Sequence, residues 1–260
     1  MLSLIGLGLN DEKDLTLKGL EVVKKSEKVY AELYTGFWHG NLKKLEKIVG
    51  KKITILKRKD LEDESEKILK EAKQKDVAIF VQGDPLVATT HNALLLDAKK
   101  MKIQIQIVHN ASIVSAIAEI GLHVYKFGPT VTIPFPEKTK GKLPESVYEI
   151  IKINKARGLH TLCLLDIDPE NKRFMLPQEA CKILLEIEKK RNDNVFTEDA
   201  EVIAVGKLGS DKPLVEYKKV KDMLNSYFRT YPTVMVIPGK LHFTEKEFLE
   251  KFIYRQDLFS

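Results

Sequence analysis

The sequence predicts an α/β protein of two domains, and three observations carry that expectation. Short apolar runs alternate with amphipathic segments through the first half. After Gly121 the texture changes, with Pro and Gly clustered at Gly128-Pro129, Pro134, Pro136, Gly141 and Pro144. At 260 residues the chain also exceeds the usual size of a single domain. A repeating strand and helix order needs crossover connections, so the first sheet should be parallel. The second domain should be mixed. A junction within 121–128 divides the chain into 1–122 and 123–260.

In the first domain, the apolar run Leu2-Ser3-Leu4-Ile5 precedes a helical pattern at about 15–27, Val29 to Tyr34 precedes one at 41–49, and Ile53 to Leu56 one at 63–74. Ala78-Ile79-Phe80-Val81 is wholly apolar, as a strand covered on both faces requires. It leads to a helix at 90–101, which Thr89 or Thr90 would cap. Ile103 to Val108 alternates apolar and polar residues, the pattern of a sheet-edge or half-exposed strand, and a helix follows at 112–120. In the second domain, strands are predicted at 130–135, 160–166, 201–206 and 233–237, and helices at 145–156, 178–191, 218–226 and 244–253. Asp168 to Arg173 and Asn192 to Asn194 read as exposed loops.

The balance of 43 Lys and Arg against 37 Asp and Glu gives a net charge of +6, but the signs are interspersed and no aromatic residues accompany the basic runs. That is a solvated surface, and no direct nucleic-acid binding is expected. Only Cys163 and Cys181 are present, without the spacing of a metal knuckle or redox motif, which suits a reducing cytoplasm. No stretch approaches the roughly 20 apolar residues that span a bilayer, so no membrane association is expected.

The most informative segment is Val81-Gln82-Gly83-Asp84-Pro85, a turn between an apolar strand and a helix start. Ligands of open α/β sheets sit outside the carboxyl ends of the strands, which places Asp84 where a small molecule could meet it. It reads equally as a loop with a structural Asp. As a ligand residue with little burial, Asp84 should matter more to binding than to stability. Gly6-Leu7-Gly8-Leu9 follows the first strand and brings backbone within reach of a ligand. It fails as a dinucleotide fingerprint, because Asp11 replaces the third glycine and acidic residues there repel a pyrophosphate. Asn110-Ala111-Ser112-Ile113 supplies a third strand-end loop, with Ser112 a helix cap, a polar contact, or both. The three loops suit a ligand with an amino-acid end and an adenosine end. The six histidines lack metal-site spacing, no nucleophile elbow occurs, and Asp166 and Asp168 read either as a carboxylate pair or as a strand ending in solvent. No metal is expected.

In order along the chain, Ile5 to Leu9, Gly83-Asp84-Pro85 with Ala88-Thr89-Thr90-His91, His109 to Ile113, Gly121 to Gly128, His160 to Ile167 and Pro238 to His242 resemble the diphthine synthase family of the tetrapyrrole methylase superfamily. The resemblance spans about residues 1–252. It implies a two-domain tetrapyrrole-methylase-like fold and a homodimer that holds S-adenosyl-L-methionine between the domains and releases S-adenosyl-L-homocysteine. The implied acceptor is translation elongation factor 2, on a histidine already bearing an aminocarboxypropyl group. The Asn-Ala-Ser-Ile loop resembles the eukaryotic branch, which implies four methyl transfers ending in a methyl ester. The archaeal type stops at three, and a same-fold enzyme acting on a tetrapyrrole or RNA, or a silent cofactor-binding protein, are the rival readings. The implied cofactor contacts are Leu9, Asp84, Val87, Ser112, Ile113, Leu165, Tyr217 and His242. Tyr217 lies in a segment that departs from the family pattern. No residue is assigned as a catalytic base.

Overall fold

The computed structural model describes residues 1–168 and 171–253. Contacts divide the chain into two compact units, Met1–Val114 and the residues from Ser115 onward.

The first unit is built on a five-stranded sheet of β1 (Leu2–Gly6), β2 (Lys28–Glu32), β3 (Thr54–Leu56), β4 (Val77–Val81) and β5 (Ile105–Val108), in the order β3-β2-β4-β1-β5. Every pairing is parallel, as the crossover argument requires. The helices are α1 (Leu17–Lys25), α2 (Leu42–Val49), α3 (Arg58–Glu62), α4 (Ser65–Ala72), α5 (His91–Lys100) and the single turn α6 (Ile113–Ala116). Because side chains alternate along a strand, Val77, Ile79 and Val81 of β4 pack on one face with Ile68, Leu69, Leu94 and Ala98, while Ala78 and Phe80 pack on the other with Val23, Leu45 and Val49. Two-sided burial explains the unbroken apolar run of β4, and the edge position of β5 explains its alternation.

Chain direction sets where the loops gather. From β1 the chain crosses over to β2, on the far side of β4, whereas from β4 it crosses the other way to β5, beyond β1. The connections diverge between β1 and β4, which is the switch point where parallel sheets open a crevice at their carboxyl ends.

The second unit has β6 (Val131–Ile133), β7 (Thr161–Leu165), β10 (Glu201–Gly206), β11 (Leu214–Lys219) and β12 (Thr233–Ile237) in the order β11-β10-β12-β7-β6, with a separate hairpin of β8 (Ile167–Asp168) and β9 (Arg173–Phe174). Only β6 and β7 in the larger sheet are parallel, so it is mixed, as expected. Its core joins these strands to α7 (Glu145–Ala156), α8 (Pro177–Arg191) and α9 (Val220–Leu224), and α10 (Phe243–Phe248) follows β12.

Several boundaries differ from the sequence expectation. The helix read at 218–226 begins as strand, because buried Val215 and Tyr217 alternate with half-exposed Glu216 and Lys218 before α9 starts at Val220. The helix read at 63–74 is α4, preceded by the unread short helix α3 at Arg58–Glu62, and the helix at 112–120 is α6 followed by a 3-10 turn that Gly121 closes at φ 84°. Asp168 and Arg173, read as loop, pair across the hairpin. Thr90 stands at the start of α5 without a side-chain cap bond; its hydroxyl reaches Glu62 at 3.4 Å, while Thr89 donates to Pro85 O at 3.1 Å.

Candidate functional site

The loops after β1, β4 and β5 close on one another through their backbones. Gly8 and Gly83 form an antiparallel bridge, Gly8 N donating to Gly83 O at 3.2 Å and Gly83 N to Gly8 O at 2.9 Å. Both glycines have positive φ, 78° and 68°, which a side-chain-bearing residue adopts only with strain. Gly6 has a different reason to be glycine: a Cβ there would lie 2.5 Å from Gly83 O and 2.6 Å from the Asn110 Cβ. The third loop is tied in by the Asn110 amide, which donates to Gly6 O at 2.9 Å and Asp14 O at 3.0 Å.

Asp84 sits at the centre of this junction and is 6 % exposed. Its Oδ1 accepts from Leu86 N at 3.0 Å, and its Oδ2 accepts from Asn110 N at 3.2 Å and from His109 Nδ1 at 2.8 Å. Burial alone would raise its pKa, but the hydrogen bonds from Leu86, His109 and Asn110 outweigh it and hold the carboxyl below the usual aspartate value. The expectation of a carboxylate with little burial is therefore corrected: Asp84 knits two loops together. A carboxylate has about four lone-pair positions, so Oδ1 retains one acceptor position beyond Leu86 N.

Of the residues the family resemblance singled out, Leu9, Asp84, Val87, Ser112 and Ile113 all fall on these three joined loops. Leu9, Val87 and Ile113 are half-buried, and Ser112 is 7 % exposed, its Cα 4.0 Å from where a Gly83 Cβ would stand. The acidic residues of the first loop serve the loop itself, since Asp11 accepts from Lys13 N at 2.8 Å and Asp14 from Asn10 N at 2.7 Å. Asp166 and Asp168 bind different partners. Asp166 binds Phe135 N, Ile167 N and Lys138, and Asp168 binds Asn171.

Leu165, Tyr217 and His242 belong to the second unit, where the sheet spaces them apart. Tyr217 is 7 % exposed on edge strand β11 and lies on the row Ile203, Val236, Leu162, three strand steps or about 14 Å from β7. Leu165 ends β7, whereas His242 follows β12, whose terminal Ile237 pairs with Thr161 at the start of β7. His242 begins α10 in a network that sequence reasoning missed. Glu245, fully buried, accepts from His242 N at 2.7 Å, His123 N at 2.8 Å and His160 Nε2 at 3.1 Å, and pairs with Lys126. Burial opposes its charge, yet Lys126 and these donors bring its pKa down to about 2. The signal was the spacing His-x-x-Glu, a capping box with His in the place usually held by Ser or Thr.

A parallel sheet with glycine-mediated loops at its switch point, followed by a mixed sheet, defines the class. Residues 1–224 match the family of tetrapyrrole (corrin/porphyrin) methylases, so the chain belongs to that family. It is 47 % identical over 253 residues to a diphthine synthase of Methanocaldococcus jannaschii, covering 96 % of this chain and 98 % of the relative. With the diphthine synthase of Methanococcus aeolicus it shares 46 % over 251 residues, at 96 % and 97 % coverage. A crystal structure of a diphthine synthase superposes with a TM-score of 0.87 at 33 % identity, covering 96 % of this chain and 95 % of that one. Within the methylases the chain is therefore one of the diphthine synthases, an S-adenosylmethionine-dependent methyltransferase of diphthamide biosynthesis.

Proposed function

We propose that this enzyme methylates the amino nitrogen of an aminocarboxypropyl-modified histidine on translation elongation factor 2, with S-adenosylmethionine held at the loops around Asp84. The closure of those three loops on one another carries the reading. It leaves a spare acceptor position on a buried carboxylate, open backbone at Gly83, where a Cβ would meet nothing closer than 3.9 Å, and half-buried apolar side chains at Leu9, Val87 and Ile113. These features suit an α-ammonium, the main-chain contacts of a polar ligand, and an adenosine and thioether respectively. Leu165, Tyr217 and His242 complete the proposed contacts. The enzyme acts in this reading as a cytoplasmic homodimer. No helix among the described residues is long and apolar enough to cross a membrane.

The cofactor, when bound, supplies an activated methyl on a sulfonium. What the chain contributes is orientation and exclusion of water, because an α-amino group has a pKa of about 8 and a modest shift frees its lone pair near neutral pH. No protein nucleophile is required. Three transfers to nitrogen leave a fixed positive charge, and the fourth, ester-forming transfer would need the carboxylate oxygen to reach the same methyl.

Incubating the enzyme with S-adenosylmethionine and modified elongation factor 2, beside a corrin precursor and ribosomal RNA, tests the acceptor. Methylation of the protein alone is the expected result, and transfer to either rival alone would overturn it. Mass spectrometry of the modified peptide should count four methyls, one of them lost in mild alkali. A count of three, all stable to alkali, would remove the ester step and leave the nitrogen methylation standing.

A further inference from the structure

His91 and Glu32 form a buried pair in the first unit, outside the hydrogen bonds of Asp84. Glu32 ends β2 and is fully buried, and His91 opens α5 at 2 % exposure. The Glu32 Oε1 accepts from Tyr34 N at 2.9 Å and Thr35 N at 2.8 Å, and its Oε2 from Thr35 Oγ1 at 3.0 Å. The His91 Nδ1 faces Pro85 O at 3.1 Å, and its Nε2 faces Glu32 Oε2 at 3.6 Å with no hydrogen-bond partner among the described residues.

The protonation state follows from what each atom can do. A backbone carbonyl only accepts, so Nδ1 must carry a hydrogen and donate it to Pro85 O. In a neutral ring that leaves a bare lone pair on Nε2, aimed at a carboxylate that also offers only lone pairs. Two such groups facing each other away from water repel, and one proton on either atom turns the repulsion into attraction. Burial raises the Glu32 pKa even though its hydrogen bonds and His91 act in the other direction, which favours a proton being kept there. Tyr34, Arg58, Asp60 and Glu62 are charged or titratable groups near this end of the sheet: Asp60 and Glu62 act on Tyr34, and Arg58 lies over the Tyr34 ring at 5.4 Å and pairs with Glu62 at 3.5 Å.

We propose that Glu32 and His91 hold one proton between them and act as a positioning pair, fastening the Gly83-Asp84-Pro85 turn to the carboxyl end of β2. β2 and β4 are neighbours in the sheet, so the pair links the loop that Glu32 folds to the loop that carries Asp84. The proposal rests on the reading that this turn holds the cofactor, and the experiment separates the two.

Nitrogen NMR of the wild-type enzyme reads the pair directly. His91 should show a protonated Nδ1 together with an Nε2 that is itself protonated or hydrogen-bonded, and a ring protonated on Nε2 alone, or an Nε2 with the shift of an unbonded lone pair, would overturn the proposal. Calorimetry with S-adenosylhomocysteine then reads the consequence. Glu32→Gln, whose amide can donate to Nε2, should bind within about twofold of wild type, whereas Glu32→Ala should bind about five- to tenfold more weakly. A His91→Gln side chain reaches the Nε2 position but not Pro85, and should weaken binding about as much as Glu32→Ala; His91→Asn, which reaches the Nδ1 position, should lose less. Equal weakening by Glu32→Gln and Glu32→Ala, or a His91→Gln enzyme that binds like wild type, would refute the pair. A wild-type enzyme that binds no S-adenosylhomocysteine would instead remove the cofactor reading, with the NMR result still deciding the pair.

Discussion

Replacing Asp84 with Ala should injure stability and cofactor binding together. The substitution removes the acceptor for Leu86 N, Asn110 N and His109. His109 is 70 % exposed, so water replaces its partner and its loss contributes little. The two backbone donors belong to the closed loop junction and were bonded to a charged group, an interaction worth about 1.5–3 kcal/mol each. Water entering the gap recovers part of that, which leaves a loss of about 3 kcal/mol. For a protein of this size such a loss lowers Tm by roughly 10 °C. Asp84→Asn keeps one carbonyl acceptor but replaces the other oxygen with a donor, which faces the donors at Asn110 and His109, so it should melt between the two. Thermal melts, with S-adenosylhomocysteine titrated into each variant below its transition, measure both quantities. An Asp84→Ala enzyme that melts within about 2 °C of wild type yet binds tenfold more weakly would refute the knitting role and restore the view of Asp84 as a ligand residue alone.

Gly6→Ala should be severe despite the small change, because the new Cβ meets backbone oxygen at Gly83 and must push the β1 and β4 loops apart; a soluble variant with unchanged S-adenosylhomocysteine affinity would contradict the close-approach argument. The pH dependence of Glu245 has a definite sign. Its folded pKa of about 2 lies below the ordinary 4.5, so the stability it contributes is present above about pH 4.5 and is lost as pH falls towards 2. The gap in Tm between wild type and Glu245→Gln should therefore narrow on acidification across that window, and a gap that stays constant would exclude a charged Glu245.

Sequence patterning reached the first unit well because its signals are local. The two-sided burial of β4, the alternation in β5 and the Gly-Asp-Pro turn each follow from residues within a few positions of one another. What was missed depends on partners far away in the chain. The hydrogen bonds from Asn110 to Gly6 and Asp14 span about a hundred residues, as does the approach of Glu245 to His123 and His160. Nothing in either local pattern says that such side chains converge. At β11 the failure was one of period, since Lys218 and Lys219 run into Val220 and resemble a helix face until the alternation of Val215 and Tyr217 is weighed.

Preorganisation links the two halves of the Asp84 argument. Loops at strand ends lose conformational freedom when a ligand orders them, and that loss subtracts from affinity. Here the Gly8 and Gly83 bridge, the Asn110 amide and the Asp84 carboxylate bond the loops after β1, β4 and β5 to one another. At the proposed site a cofactor would meet a surface fixed by folding, with the spare acceptor position on Asp84 Oδ1. On that proposal, selectivity would follow from where that position lies relative to the glycine backbone and the apolar side chains of Leu9, Val87 and Ile113. A change that leaves those side chains intact but loosens the bonds between the loops should weaken binding through the same loss of order that lowers Tm.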